Sequence, residues 1–178
     1  MKRIFVAIEL PEHVKAKLFK KFDNLPRDLF IGKKTEKENL HLTLKFLGWI
    51  DEDKIEETKN KLKKIKFGRF FGKIGDIGFF DNENHIRFIW VELLAKELDE
   101  LQKKVSAALP EFFDEKGFSS HITLARVKSV PNKKRLMEET GKINFKKLDF
   151  EIRDFVLMKS EIISKNRKYK VIEKFPLL

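Results

Sequence analysis

One pattern is written twice in this chain, and it restricts the fold more than any other feature. His41-Leu42-Thr43-Leu44 and His121-Ile122-Thr123-Leu124 stand 80 residues apart in a sequence of 178. A β-prone string of matching design precedes each: Phe5-Val6-Ala7-Ile8-Glu9-Leu10 and Phe88-Ile89-Trp90-Val91-Glu92-Leu93. The interval from Leu10 to His41 is 31 residues, and that from Leu93 to His121 is 28. A strand, a helix and a second strand thus recur in order, with a small indel. Units of this kind leave two sheets, each covered by helices on one face. The expected fold is therefore α+β. It is a single domain, 1–178, of two intertwined lobes, with a first repeat over about 1–80 and a second over about 81–178.

The intervening segments fit this plan. Pro11 can open a helix running to about Asn24, with Val14, Leu18 and Phe22 on one face. Leu25 to Asn39 reads as irregular. Leu40 to Leu47 is the first motif strand, and Gly48 is expected to break it. Asp51 can cap a helix carrying Ile55, Leu62 and Ile65. Phe67 to Phe80 reads as strand with bends. Ala95 to Leu109 is a helix with Leu98, Leu101 and Val105 inward, and Ser120 to Val127 is the second motif strand. A helix follows Pro131, and strands close the chain, with a hairpin turn expected at Lys165-Asn166.

On a strand, side chains alternate faces. His41 and Thr43 then share one face while Leu42 and Leu44 take the other, and His121 and Thr123 repeat the arrangement. Across a pseudo-two-fold axis, two imidazoles and two hydroxyls would converge on one point. Histidine exchanges protons near neutral pH, so the pair suits in-line displacement at a phosphodiester. One ring activates the nucleophile and the other protonates the leaving oxygen, each typically contributing about 10²–10⁴ in rate. Threonine hydroxyls can donate to the non-bridging oxygens. Symmetry alone does not say which histidine is the acid. Strict alternation turns Lys45 towards the His41 face, as a candidate cation for the phosphate, and turns Arg126 away from His121. A zinc pair would need a third ligand, and neither motif carries a carboxylate at ligand spacing. His13 and His85 lack the motif and are expected at the surface. Trp49 and Trp90 read as core or groove wall.

Composition narrows the partners. The net charge of +11 favours a polyanion, because neutralised phosphates release counterions. With no cysteine, disulfides, thiolate catalysis and Cys-ligated zinc are excluded. The apolar run from Ile4 stops at Glu9, too short for a signal peptide or a membrane span. A cytoplasmic protein with no membrane association is expected.

These motifs resemble those of the two-histidine phosphoesterase superfamily, and most closely its RNA 2′,3′-cyclic phosphodiesterases, also called the 2′–5′ RNA ligase family. The likeness spans nearly the whole chain. It includes Arg3-Ile4-Phe5-Val6-Ala7-Ile8, His41 through Gly48, His121 through Val127, Leu157-Met158-Lys159-Ser160, Tyr169 and Phe175-Pro176-Leu177. Ser120 stands where many relatives have Pro, and Ser164-Lys165-Asn166-Arg167 stands where they carry Gly before the tyrosine.

The resemblance implies a bilobal fold whose two antiparallel sheets line a central cleft, with helices outside. It implies hydrolysis of an RNA terminal 2′,3′-cyclic phosphate to a 2′-phosphate, with no cofactor and no metal. His41 would be the proton donor and His121 the acceptor. Thr43 and Thr123 would bind the phosphate, as would Arg126 if its strand twists or ends nearby. The expected partner is cyclic-ended RNA, such as tRNA fragments or nucleotides, acted on by a monomer. Two alternatives stay open: ligation forming 2′–5′ linkages from 5′-hydroxyl ends, and a non-catalytic basic module that binds RNA or nucleotides.

Overall fold

The computed structural model describes residues 1–82, 85–113, 117–145, 148–164 and 166–178. In chain order the strands are β1 (Lys2–Glu9), β2 (Ile31–Lys34), β3 (His41–Ile50), β4 (Phe70–Asn82), β5 (His85–Leu94), β6 (His121–Ser129), β7 (Asp149–Ile152), β8 (Asp154–Ile163) and β9 (Asn166–Pro176). The helices are α1 (Glu12–Asp23), α2 (Glu52–Leu62), α3 (Leu98–Ala108) and α4 (Lys133–Gly141). A short 3-10 turn, Lys37–Asn39, leads into β3.

Local chemistry explains the helix starts. Pro11 immediately precedes α1. The Asp51 side chain accepts from the Lys54 backbone N–H at 2.9 Å, and Asn132 caps α4 through the Arg135 N–H at 2.9 Å. The predicted apolar stripes of α1, α2 and α3 are buried, save Ile65, which lies just beyond α2 and is partly buried.

The strands make one antiparallel sheet, in the order β7-β4-β5-β6-β3-β1-β8-β9, with β2 beside β6. It curls into a half-barrel. Its two halves meet at β3 and β6, where Leu42 faces Ile122. So the two expected sheets are present, joined edge to edge at that point. The halves exchange strands: β4, from the first half of the chain, pairs with β5, and β8, from the second, pairs with β1. The echoed strings take the same register. Glu9 faces His41 and Glu92 faces His121; Ile8 faces Leu42 and Val91 faces Ile122. One face of the sheet joins the helices in the main core. On the other, Phe5, Ala7, Val156 and Met158 form a small cluster against Tyr169 and Val171.

Two expectations fail. Gly48 does not end β3. It adopts φ +77°, open to glycine, and the strand shifts register between Ile4 and Phe5 before continuing to Ile50. The stretch read as irregular contains β2, whose Gly32 lies so close to β6 that a Cβ would meet the Arg126 carbonyl oxygen. Ile-Gly-Lys-Lys has no alternation to announce a strand. At the terminal hairpin, Ile163 pairs with Asn166, and Lys165 lies outside the described residues.

Candidate active site

Strands β3 and β6 show the same burial sequence over nine positions. His41, Thr43, His121 and Thr123 are half-buried, and Leu42, Leu44, Ile122 and Leu124 are buried on the opposite face. Alternation then breaks in both strands. On β1, Val6 pairs with Lys45 but its neighbour Ala7 pairs with Thr43; on β5, Ile89 pairs with Ala125 but Trp90 with Thr123. Each motif strand therefore carries a bulge, at Leu44 and at Leu124. A bulge adds one residue and inverts the facing of everything after it. Phe46 and Arg126 consequently join the histidine face, while Lys45 and Ala125 join the core face.

This settles where the two candidate cations lie. Arg126 lines the same cavity as both motifs and sits 5.6 Å over the Phe88 ring. Lys45, expected beside His41, is buried on the helix side, its ammonium 3.4 Å from Ser106 Oγ of α3. Lys45 therefore does not line the cavity that holds both motifs; strict period-two counting cannot see a bulge.

The cavity has a volume of about 130 Å³. His41, Thr43, His121 and Thr123 all line it, together with Arg126 and two cations that the motifs did not indicate, Arg3 and Arg167. His41 Nδ1 donates to the Asn39 carbonyl at 2.7 Å, and His121 Nδ1 donates to the Ser119 carbonyl at 2.8 Å. A carbonyl oxygen accepts and never donates, so each ring keeps its hydrogen on Nδ1. Nε2 is then the atom of each ring free to exchange a proton. Thr43 Oγ1 lies 3.1 Å from His41 Nε2.

Aromatic rings wedge both imidazoles. Phe5 and Tyr169 lie 5.0 and 4.9 Å from His41, and Phe80 and Trp90 lie 4.8 and 6.1 Å from His121, between ring centroids. Burial among these rings pushes His41 down to about 4, against the hydrogen bond to the Asn39 carbonyl; Lys15 and His121 push the same way as burial. Burial also lowers His121, opposed by its bond to the Ser119 carbonyl.

Asn39 does more than hold His41. Its buried side chain donates to the Arg167 carbonyl at 2.7 Å and accepts from the Tyr169 N–H at 3.3 Å, tying β9 to the start of β3. Arg167 in turn donates to Ser160 Oγ at 3.1 Å. Sequence reasoning missed Asn39, Ser119 and Phe80, and gave Phe5 and Tyr169 no role. The two carbonyls are backbone groups, so no side-chain signal could have marked them.

His13 and His85 are exposed, as expected. Trp90 is a wall of the His121 site, whereas Trp49 is 65% exposed and belongs to no core. Among the described residues, no three or more His, Cys, Asp or Glu side chains are grouped to hold a metal ion, and no helix is long and apolar enough to cross a membrane.

A family model described as LigT-like phosphoesterase matches the chain twice, over residues 8–90 and 91–168. The RNA 2′,3′-cyclic phosphodiesterase of Methanocaldococcus jannaschii is 35% identical over 181 residues, covering 97% of this chain and 99% of that protein. The protein of the same name from Thermotoga maritima is 31% identical, covering 96% of this chain and 92% of that one. Among solved structures, TT0787 of Thermus thermophilus superimposes with a TM-score of 0.81 at 28% identity, covering 98% of this chain and 97% of that one. Escherichia coli LigT complexed with 3′-AMP shares the fold, with a TM-score of 0.81 at 22% identity and coverage of 99% and 98%.

Proposed function

Because this chain belongs to the LigT-like phosphoesterase family, we propose that it is an RNA 2′,3′-cyclic phosphodiesterase, opening a terminal cyclic phosphate to leave a 2′-phosphate. The observation that carries this reading is the matched pair of imidazoles, each with Nδ1 held by a carbonyl and Nε2 left for proton transfer, lining one cavity with two threonines and three arginines. The cyclic phosphate is a compact anion, and this wall of hydroxyls and guanidinium groups suits it.

In the proposed mechanism His121 Nε2 takes a proton from water as its oxygen attacks phosphorus. The bond from phosphorus to O3′ breaks, and His41, protonated, gives its Nε2 hydrogen to O3′. Thr43 and Thr123 donate to the non-bridging oxygens, and Arg126 supplies a fixed positive charge. Fixing Nδ1 aims each Nε2 and keeps the rings from turning between tautomers. Donor and acceptor are assigned by the family likeness of the two motifs. The substrates proposed are cyclic-ended RNA, including tRNA fragments and nucleotides.

The same displacement with a nucleoside 5′-hydroxyl in place of water would form a 2′–5′ linkage. A second cavity beside His121 favours adding this activity to the reading.

The test is the product formed from an oligonucleotide ending in a 2′,3′-cyclic phosphate, in excess EDTA. A 2′-phosphate is expected, with His41→Ala and His121→Ala each lowering the rate by about 10²-fold or more while the protein stays folded. Full activity in either variant would overturn the two-histidine mechanism, and activity lost to EDTA and restored by added metal would overturn its metal independence.

A further inference from the structure

Strand β3 leaves two large aromatic side chains in the open. Phe46 is 52% exposed and Trp49 is 65% exposed. Both belong to the face that carries the motifs. Phe46 lies opposite Phe5 of β1, and Trp49 lies opposite Arg3. Residues opposite each other in an antiparallel pair share a face, and Arg3, Phe5 and Phe46 all line the cavity of the two histidines. Arg3 and Phe5 are successive side chains on one face of β1. Trp49 is therefore the next side chain outward from Phe46 on that same face.

The backbone bends to put it there. Strict alternation from Phe46 would turn Trp49 towards the helices. The register shift between Ile4 and Phe5 adds one residue to β3, and Gly48 takes up the turn at φ +77°. The facing inverts once more, so the indole goes to the cleft while Ile50 goes to the core.

Packing does not ask for the ring. The duplication sets Ser129 of β6 at the position of Trp49, 80 residues on. Ser129 is exposed as well. A small polar residue thus satisfies the fold at this place.

We propose that Trp49 is the stacking platform for the RNA nucleotide that precedes the cyclic end. The terminal nucleotide fills the cavity, the phosphodiester joining it to its neighbour passes Arg3, and the neighbour's base lies flat on the indole. The proposal rests on the reading of the cavity as the seat of the cyclic phosphate. Single-stranded nucleic acid is held by a cationic track with aromatic rings on which successive bases stack. That is the composition here: a guanidinium and two exposed rings running outward from the cavity. An apolar partner would be met by a cation opposite the indole. Any base can stack, so the subsite favours a longer strand without choosing its sequence.

The experiment compares the KM of three substrates: uridine 2′,3′-cyclic phosphate, a dinucleotide of adenosine joined to that nucleotide, and the same dinucleotide lacking the adenine base. Wild-type enzyme should bind the full dinucleotide about tenfold more tightly than the abasic one, as one base–aromatic stack provides. Trp49→Ser, which installs the residue of the matching position, should erase that difference. It should leave the cyclic mononucleotide within about twofold and kcat on all three unchanged. Trp49→Phe, which keeps a ring, should retain most of the difference. The proposal is overturned if a wild type that opens the mononucleotide treats the two dinucleotides alike, or if Trp49→Ser keeps the difference. It is also overturned if Trp49→Ser weakens the mononucleotide as much as the dinucleotide, or if Trp49→Phe behaves as Trp49→Ser does. Sedimentation at the assay concentration accompanies the rates. A wild-type dimer that Trp49→Ser turns into monomers would make the indole a protein interface and overturn the proposal too. A wild type that opens none of the three refutes the phosphodiesterase reading first, and this one with it.

Discussion

Each imidazole keeps its hydrogen on Nδ1 through a carbonyl two residues upstream, and each titrates low because aromatic rings exclude water from it. Under the proposed mechanism the productive free enzyme has His41 protonated and His121 neutral. His41 loses its proton as pH rises through about 4, and His121 gains one as pH falls below its lowered value. The profile of kcat/KM against pH should therefore be bell-shaped with its maximum on the acid side of 6.5, the two limbs belonging to the coupled pair. A bound phosphate anion raises both rings, so the kcat profile should sit at higher pH. A kcat/KM maximum above neutrality would contradict the lowered titration of the two rings. Arg126 supplies a second prediction at this scale. Arg126→Ala should lower kcat/KM by roughly 10–100-fold, the worth of a charge-assisted contact, and Arg126→Lys should restore part of it. The histidines and threonines were legible as residues, since two copies of one rare pattern are hard to explain otherwise. The carbonyls of Asn39 and Ser119 were not, because any residue supplies a carbonyl.

Strands β3 and β6 carry the site, and their twin bulges decide what it contains. Alternation alone would have placed Lys45 in the cavity of the two motifs and Arg126 outside it; one extra residue in each strand reverses both. The bulges leave no signature in Leu-Thr-Leu-Lys-Phe or Ile-Thr-Leu-Ala-Arg, because a bulge depends on how the neighbouring strand pairs. The Leu42–Ile122 contact is where the two motif strands meet, and both side chains are fully buried. Ile122→Ala should therefore destabilise the fold by about 2–5 kcal/mol, as large-to-small substitutions in tight cores do. Urea unfolding measures this, and a loss below about 1 kcal/mol would show that the junction is not closely packed. The missed strand β2 belongs at this scale too. Its Gly32 packs against backbone, so its value lies in what it lacks, and no hydrophobic pattern could report it.

At the scale of the molecule, the exchange of β4 and β8 between halves makes each half incomplete without the other. We propose accordingly that residues 1–178 fold as one cooperative unit. Thermal unfolding should give a single transition whose calorimetric and van't Hoff enthalpies agree, and two separable transitions would refute this. The net charge of +11 gives a further expectation. The KM of a cyclic-ended oligonucleotide should rise steeply with salt, by a slope of roughly 0.7 in the logarithm per phosphate contacted. A cyclic mononucleotide should respond far less, and equal slopes would mean that the basic surface takes no part in binding RNA.

The sequence by itself determined the matched pair of His-x-Thr motifs, the repeated strand–helix–strand order, the positions of the helices and the excess of positive charge. Each of these is local: composition, capping and periodicity act over a few residues, and duplication makes the local message appear twice. Tertiary structure alone decided which cations line the cavity of the two motifs, which carbonyls fix the tautomers, and how the two halves share their strands. Those outcomes depend on the register between strands far apart in the chain, and register is a property of the pair of strands.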